Sequence, residues 1–245
     1  MLKKRIIITL TFKEGILFRT KNFKADYRYT KNFIDFWYID ELVLIDVSKQ
    51  KFKKSFLNIV KFFSDNCFVP IAVGGGVQSA NHADQYFNSG ADKIVLSPRT
   101  SKNSKFLVEI SKKYGNQSII QSIDFLKKNN EYFLCENSGQ DLLKKDPREW
   151  AFEAVELGAG EIMLNSIDDD GSLLGYDLEF IEKISKNLRC PVLALGGCGN
   201  WEHMLRLLSL SSVSAACTQN IYHFTNESIK SAKNFLEQNN IDIRK

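Results

Sequence analysis

Short runs of β-branched and other apolar residues recur along the chain. Most are followed by a longer segment whose apolar positions repeat every three to four residues. Runs of the first kind read as buried strands and segments of the second kind as amphipathic helices. The pattern predicts strands over 5–12, 41–47, 70–73, 92–97, 118–124, 161–167, 191–195 and 213–218. It predicts helices over 31–37, 55–65, 80–89, 103–114, 146–157, 178–187, 201–208 and 227–238. Strands that alternate with helices pair in parallel, and at this chain length eight of them close into an α/β fold, a single (β/α)8 TIM barrel over residues 1–245. An open doubly wound sheet would need a GxGxxG turn after the first strand, and none is there. No Pro- or Ser-rich linker divides the chain.

The barrel also reads as a two-fold half-barrel repeat. The first half carries Asp40-Glu-Leu-Val-Leu-Ile-Asp46 and then Pro70-Ile-Ala-Val-Gly-Gly-Gly76. The second carries Gly160-Glu-Ile-Met-Leu-Asn-Ser-Ile-Asp168 and then Pro191-Val-Leu-Ala-Leu-Gly-Gly197. Two such halves set two glycine-rich turns on opposite sides of one barrel mouth, which predicts a ligand with two separated anionic groups.

Composition narrows the partners. The net charge of +4 comes from basic residues scattered through the chain, as in Lys3-Lys4-Arg5 and 49–54, with acids between them. A nucleic-acid-binding domain would cluster them on one face, so no nucleic-acid partner is expected. Five widely spaced cysteines (Cys67, Cys135, Cys190, Cys198, Cys217) fit neither a zinc knuckle nor a CxxC motif and read as free thiols in a reducing compartment. No stretch has the length of a membrane span and the N-terminal run lacks the features of a signal peptide, so a cytoplasmic protein is expected. The three histidines show no ligand spacing.

Candidate chemistry gathers at the C-terminal ends of the strands, where such barrels work. Gly75 and Gly76 in one half, and Gly196 and Gly197 in the other, would let backbone N–H groups reach a phosphate at a helix N-terminus. The competing reading of each cluster is a tight turn that needs positive φ. Ser97 and Asn220 end neighbouring strands as further donors. Strand parity sends Arg5, Ile7, Thr9 and Thr11 inward on the first strand, and Ile120, Ser122 and Asp124 inward on the fifth. Asp124, at the mouth, is a candidate general acid or base. Asp46 ends the second strand. Asp168 to Asp170 precede Gly171 in an acidic loop that fits either a hydroxylated substrate or turn chemistry. At the opposite end, Arg5, Glu41, Lys93 and Glu161 each open a strand. These two cations and two anions either meet as an ion-pair ring across the axis or face solvent separately.

Several motifs resemble the cyclase subunit of imidazole glycerol phosphate synthase: Lys4-Arg-Ile-Ile, Ile39-Asp-Glu-Leu-Val, Val73-Gly-Gly-Gly-Val, Gly90-Ala-Asp-Lys-Ile, Ser166-Ile-Asp-Asp-Asp-Gly, Gly175-Tyr-Asp and Tyr222-His-Phe. The resemblance runs in order along almost the whole chain. It implies a glutaminase subunit docked at the N-terminal face of the barrel, with Asp92 at that interface. It further implies that Arg5, Glu41, Lys93 and Glu161 gate an ammonia passage, and that a phosphorylated small molecule occupies the mouth. No cofactor and no metal are implied.

The resemblance breaks at the mouth. The family uses one aspartate on strand one and one on strand five; Asp124 resembles the second, but the first position holds Thr11, in Thr11-Phe-Lys-Glu-Gly15. The family's following lysine is Arg19, which keeps charge but not geometry. Val95 and Ser97, followed by Pro98, replace the serine and asparagine after strand four. A retained gate with an altered mouth resembles the paralogous branch tied to acetamidino surface-sugar biosynthesis, where a separate sugar amidotransferase acts on the acceptor. The histidine-pathway cyclase itself, and a barrel that only activates its glutaminase, are the alternatives.

Overall fold

A computed structural model describes residues 3–29, 38–48, 54–210, 212–219 and 229–244. Eight strands form the barrel: β1 (Arg5–Lys13), β4 (Glu41–Asp46), β5 (Ile71–Gly74), β6 (Lys93–Leu96), β7 (Ile119–Lys128), β10 (Glu161–Ser166), β11 (Val192–Leu195) and β12 (Ala215–Thr218). Each is parallel to its neighbours. The β7–β10 pairing, with Asp124 opposite Asn165, and the β12–β1 pairing, with Ala215 opposite Arg5, complete the circle. The sheet therefore has no open edge within the barrel, and the TIM-barrel expectation holds.

The helices outside are α1 (Lys54–Asn66), α2 (Ala80–Asn88), α3 (Ser104–Tyr114), α4 (Pro147–Glu156), α5 (Leu178–Ser185), α6 (Trp201–Ser209) and α7 (Ile229–Gln238). The expected helix over 31–37 lies outside the described residues. Helix starts follow local chemistry. Asp146 accepts hydrogen bonds from the Arg148 and Glu149 N–H groups, with Pro147 supplying a ready-set first position, and Asp177 accepts from the Phe180 N–H.

Alternation along the strands sorts two cores. Ile6, Ile8 and Leu10 face outward into the layer between barrel and helices, together with Val60, Phe63, Trp150 and Phe180. Each such side chain contributes about 1.5–3 kcal/mol when fully withdrawn from water. Ile7, Val43, Ala72, Val95, Ile120, Met163 and Leu193 point the other way and fill the barrel axis. The parity reading of strands one and five is therefore correct.

Two antiparallel excursions, one after the first barrel strand and one after the fifth, were not expected from the strand pattern. β1 turns at Glu14-Gly15 into antiparallel β2 (Ile16–Lys21), which turns at Asn22-Phe23 into β3 (Lys24–Tyr29). β7 does not end at Asp124 as predicted. It runs on to Lys128, turns at Asn129-Asn130 into β8 (Glu131–Glu136), and continues through Asn137-Ser138-Gly139 to the short β9 (Asp141–Leu142). The three two-residue turns hold both residues at positive φ, the geometry that matches strand twist. β1 and β7 are the first and fifth barrel strands, so the hairpins obey the half-barrel repeat.

Candidate active site

The base of the barrel is the most completely satisfied region. The Arg5 guanidinium donates to Glu41 at 2.5 Å and to Glu161 at 3.0 Å, and the Lys93 ammonium lies 3.1 Å from each of the same carboxylates. The four residues form one closed circuit, which selects the ring over separate solvated charges. Arg5, Glu41 and Glu161 are buried, while Lys93 is partly open to the base. Burial alone would raise the Glu41 pKa, but Arg5 and Lys93 outweigh it and bring the carboxyl below its ordinary value. Burial likewise pulls on Arg5, and the two glutamates hold its pKa above the usual range. Arg244 approaches Glu41 from outside, at 3.8 Å. Asp92 stands exposed beside Lys93 and accepts the Ile71 N–H at 2.8 Å.

At the other end lies a cavity of about 520 Å³. Thr11, Asp46, Gly75, Gly76, Ser97, Asp124 and Asp170 all border it, so most of the expected mouth residues converge. Asp124 accepts hydrogen bonds from Ser122 at 2.6 Å and Asn165 at 3.0 Å. Burial nonetheless dominates and lifts its carboxyl to about 6, with the two donors opposing that rise. Asp46 takes both the N–H and hydroxyl of Ser48. Asp170 is fully engaged: Thr20 donates to one oxygen at 2.9 Å and the Phe23 N–H to the other at 2.9 Å. This ties the first hairpin to the loop after β10, and burial raises the Asp170 pKa.

The two glycine turns are built alike. A Cβ on Gly75 would sit 2.4 Å from the Asp46 carbonyl oxygen, and one on Gly196 would sit 2.6 Å from the Ser166 carbonyl oxygen. Beyond each turn a helix begins with a capped N–H. Ser79 accepts from His82 N–H at 3.3 Å before α2, and Asn200 accepts from His203 N–H at 2.9 Å before α6. Each imidazole then folds back on its turn, His82 Nδ1 against the Gly76 carbonyl at 3.2 Å and His203 Nδ1 accepting the Gly199 N–H at 3.1 Å. The repeat thus extends to the caps.

Some expected residues do not reach the cavity. Gly196 and Gly197 are not among its lining residues, and a Cβ at Gly197 would collide with the Gly175 carbonyl. Gly171 instead makes room for the backbone of Thr20 and Lys21. At these three glycines, as at Gly75, close backbone approach leaves no room for a Cβ. Arg19 is on β2, where its guanidinium pairs with Asp26 outside the cavity lining. Asn220 lies outside the described residues.

Other cavity residues escaped the sequence reading. Asn165 shares the inward parity of its strand with Met163, a signal available in the sequence. Thr20, Phe23 and Glu136 sit on the unexpected hairpins, and Gln219 follows β12 and donates to the Phe18 carbonyl at 2.8 Å. Among the described residues, no cluster of three or more His, Cys, Asp or Glu residues could hold a metal ion, and no helix is long and apolar enough to cross a membrane. All five cysteines are free.

A closed parallel barrel with an ionic base and a carboxylate-bearing mouth defines a (β/α)8 protein whose chemistry belongs at the C-terminal ends of its strands. The chain belongs to the histidine biosynthesis protein family, whose model matches residues 10–227. Over their full lengths, this chain and a protein of Chlorobium phaeobacteroides (strain BS1), named imidazole glycerol phosphate synthase subunit HisF, are 36% identical. Proteins of the same name from Pelodictyon phaeoclathratiforme and Chloroherpeton thalassium are 35% and 34% identical, also over the whole of both chains. The chain is therefore HisF-like from end to end.

Proposed function

We propose that this chain is the acceptor-side subunit of a two-part synthase. It takes ammonia from a glutaminase at the base of the barrel and delivers it to a phosphorylated small molecule at the mouth. The observation that carries this reading is the closed Arg5–Glu41–Lys93–Glu161 circuit. Burying four charges costs several kcal/mol per ion, and an apolar plug of similar volume would do as well or better for stability alone. A buried ionic circuit on the axis is better accounted for by passage through the base than by packing.

At the mouth, ammonia that adds to an electrophilic carbon must shed a proton. Asp124, with a carboxyl near 6, is ionised at neutral pH and accepts that proton, then returns it to the departing oxygen. Ser122 and Asn165 fix the carboxylate for this exchange. Thr11 offers a hydroxyl where the resemblance calls for a second carboxylate, and a hydroxyl does not act as an acid or base of that strength. The acceptor is accordingly assigned to acetamidino surface-sugar biosynthesis, with a sugar amidotransferase as further partner.

The second reading is the histidine-pathway cyclase, favoured by the names of the full-length relatives. In that case Asp124 alone would suffice for cyclisation. Both readings share the base and differ only in acceptor.

The shared part is tested with the glutaminase. Glutamine hydrolysis is expected to rise on adding the wild-type chain and to rise much less with Asp92→Ala. Hydrolysis that is unchanged by the wild-type chain would remove the ammonia reading.

A further inference from the structure

The turn that follows β6 presents a cation to the mouth and holds it there with nothing bound to it. Residues Pro98–Lys102 form a short 3-10 helix between β6 and α3. A polar network beneath fixes its backbone. The Thr100 hydroxyl lies 2.9 Å from the Ser97 carbonyl and 2.8 Å from Gln121 Oε1, and the Gln121 amide donates to the Leu96 and Ser97 carbonyls at 3.2 and 3.1 Å. Thr100 and Gln121 are buried, and a fully bonded buried network of this kind holds one geometry. The Arg99 side chain stands on this braced turn, exposed and lining the mouth cavity. It has no ion pair and no hydrogen bond among the described residues.

Carboxylates are not lacking nearby. Asp46, Asp124, Glu136 and Asp170 border the same cavity, and each is engaged by another group. Ser48 donates to Asp46, Ser122 and Asn165 to Asp124, and Thr20 and the Phe23 N–H to Asp170. Glu136 pairs with Lys102, the other basic side chain of the cavity, and that pair ties the turn to the end of β8. Ser97 and Asn103 at the two ends of the turn, and Ser138 after β8, also line the cavity with exposed side chains that make no hydrogen bond among the described residues. A planar guanidinium fork with hydroxyl and amide donors beside it matches the oxygens of a phosphate. An anion entering the cavity meets uncommitted positive charge at Arg99.

We propose that Arg99 clamps a phosphate of the acceptor and so sets the direction in which the acceptor lies across the mouth. β6 and β7 are neighbours in the barrel, so a phosphate held at the turn after β6 leaves the rest of the molecule to extend over Asp124 on β7. The ligand class is a sugar phosphate monoester, with its phosphate at Arg99 and its reacting carbon toward Asp124. This rests on the reading that the mouth holds a phosphorylated acceptor. It supplies one of the two anionic positions expected across the mouth and leaves the other open.

Calorimetric titration of the full chain with ribose 5-phosphate and with ribose tests it. The wild-type chain is expected to prefer ribose 5-phosphate. Arg99→Met should weaken that binding about tenfold or more, the scale of one charge-assisted hydrogen bond. Arg99→Lys, which keeps the charge without the fork, should fall between the two. Arg189→Met removes an exposed cation from the loop before β11, at the base, and should leave the affinity unchanged. Arg99 is exposed and unbonded, so its replacement leaves the fold standing. Equal affinity of wild type and Arg99→Met, or equal losses in Arg99→Met and Arg189→Met, overturns the assignment of Arg99 and leaves the phosphorylated acceptor in place. No preference for ribose 5-phosphate over ribose in the wild-type chain overturns both. The titrations use no ammonia and no glutaminase, so ammonia delivery stands or falls separately.

Discussion

The two ends of the barrel are both rich in charge, and they handle it in opposite ways. At the base, two cations and two anions pair in a closed circuit, with Arg244 approaching Glu41 from outside it. At the mouth, four carboxylates are held by unrelated devices: a serine two residues on, donors on the same and the neighbouring strand, a hairpin backbone and a lysine. A circuit in which every member depends on the others resists piecemeal change. Carboxylates held separately can be exchanged one at a time without disturbing the rest. Under the proposed function, that difference would let the base stay fixed while residues of the mouth such as Thr11 change.

Breaking the base should have the largest effect. Arg5→Met removes the cation shared by two buried glutamates and is expected to cost about 3–5 kcal/mol in denaturant unfolding. A loss under about 1 kcal/mol would mean that the circuit is not interdependent. Asp124 should give the next effect, and it depends on pH. Its carboxyl rises from 3.8 unfolded to about 6 folded, so the folded state holds its proton longer. This residue's contribution to stability therefore falls as pH rises from about 4 to 6, by about 2–3 kcal/mol in all. Asp124→Asn should flatten that part of the stability curve; an identical slope in the variant would place the titration elsewhere.

The two glycine turns offer a matched pair of smaller effects. Gly75→Ala and Gly196→Ala each force a Cβ at positive φ against a backbone carbonyl and should each lose about 1–3 kcal/mol. Strongly unequal losses would count against the half-barrel repeat at this level. The smallest effect is expected at Phe68, before β5 on the base side and 94% exposed. Phe68→Ser should change stability by less than about 0.5 kcal/mol.

Much of this fold was legible because alternation and helical periodicity are local. The inward face of β1, with Arg5, Ile7, Thr9 and Thr11, could be read from parity alone, and so could the strand-opening positions of the ring. The hairpins were not, because Glu14-Gly15 and Asn129-Asn130 read as ordinary loop residues until a partner strand is known. Glu136 and Thr20 were lost with them. At Gly171 and Gly197 the sequence left two readings open for a related reason. A glycine that admits a phosphate and one that admits another stretch of backbone look the same in sequence, and only the Thr20 and Gly175 carbonyls decide between them.

The proposed function joins an ammonia-passing base to a mouth that serves another acceptor. The most direct test supplies the purified chain with the histidine-pathway ribonucleotide and a high concentration of ammonium at alkaline pH. External ammonia bypasses the glutaminase, so the assay isolates the mouth. No turnover by the folded chain is the predicted result. Sustained turnover would contradict it, and would show that Asp124 carries the cyclisation without a carboxylate at Thr11.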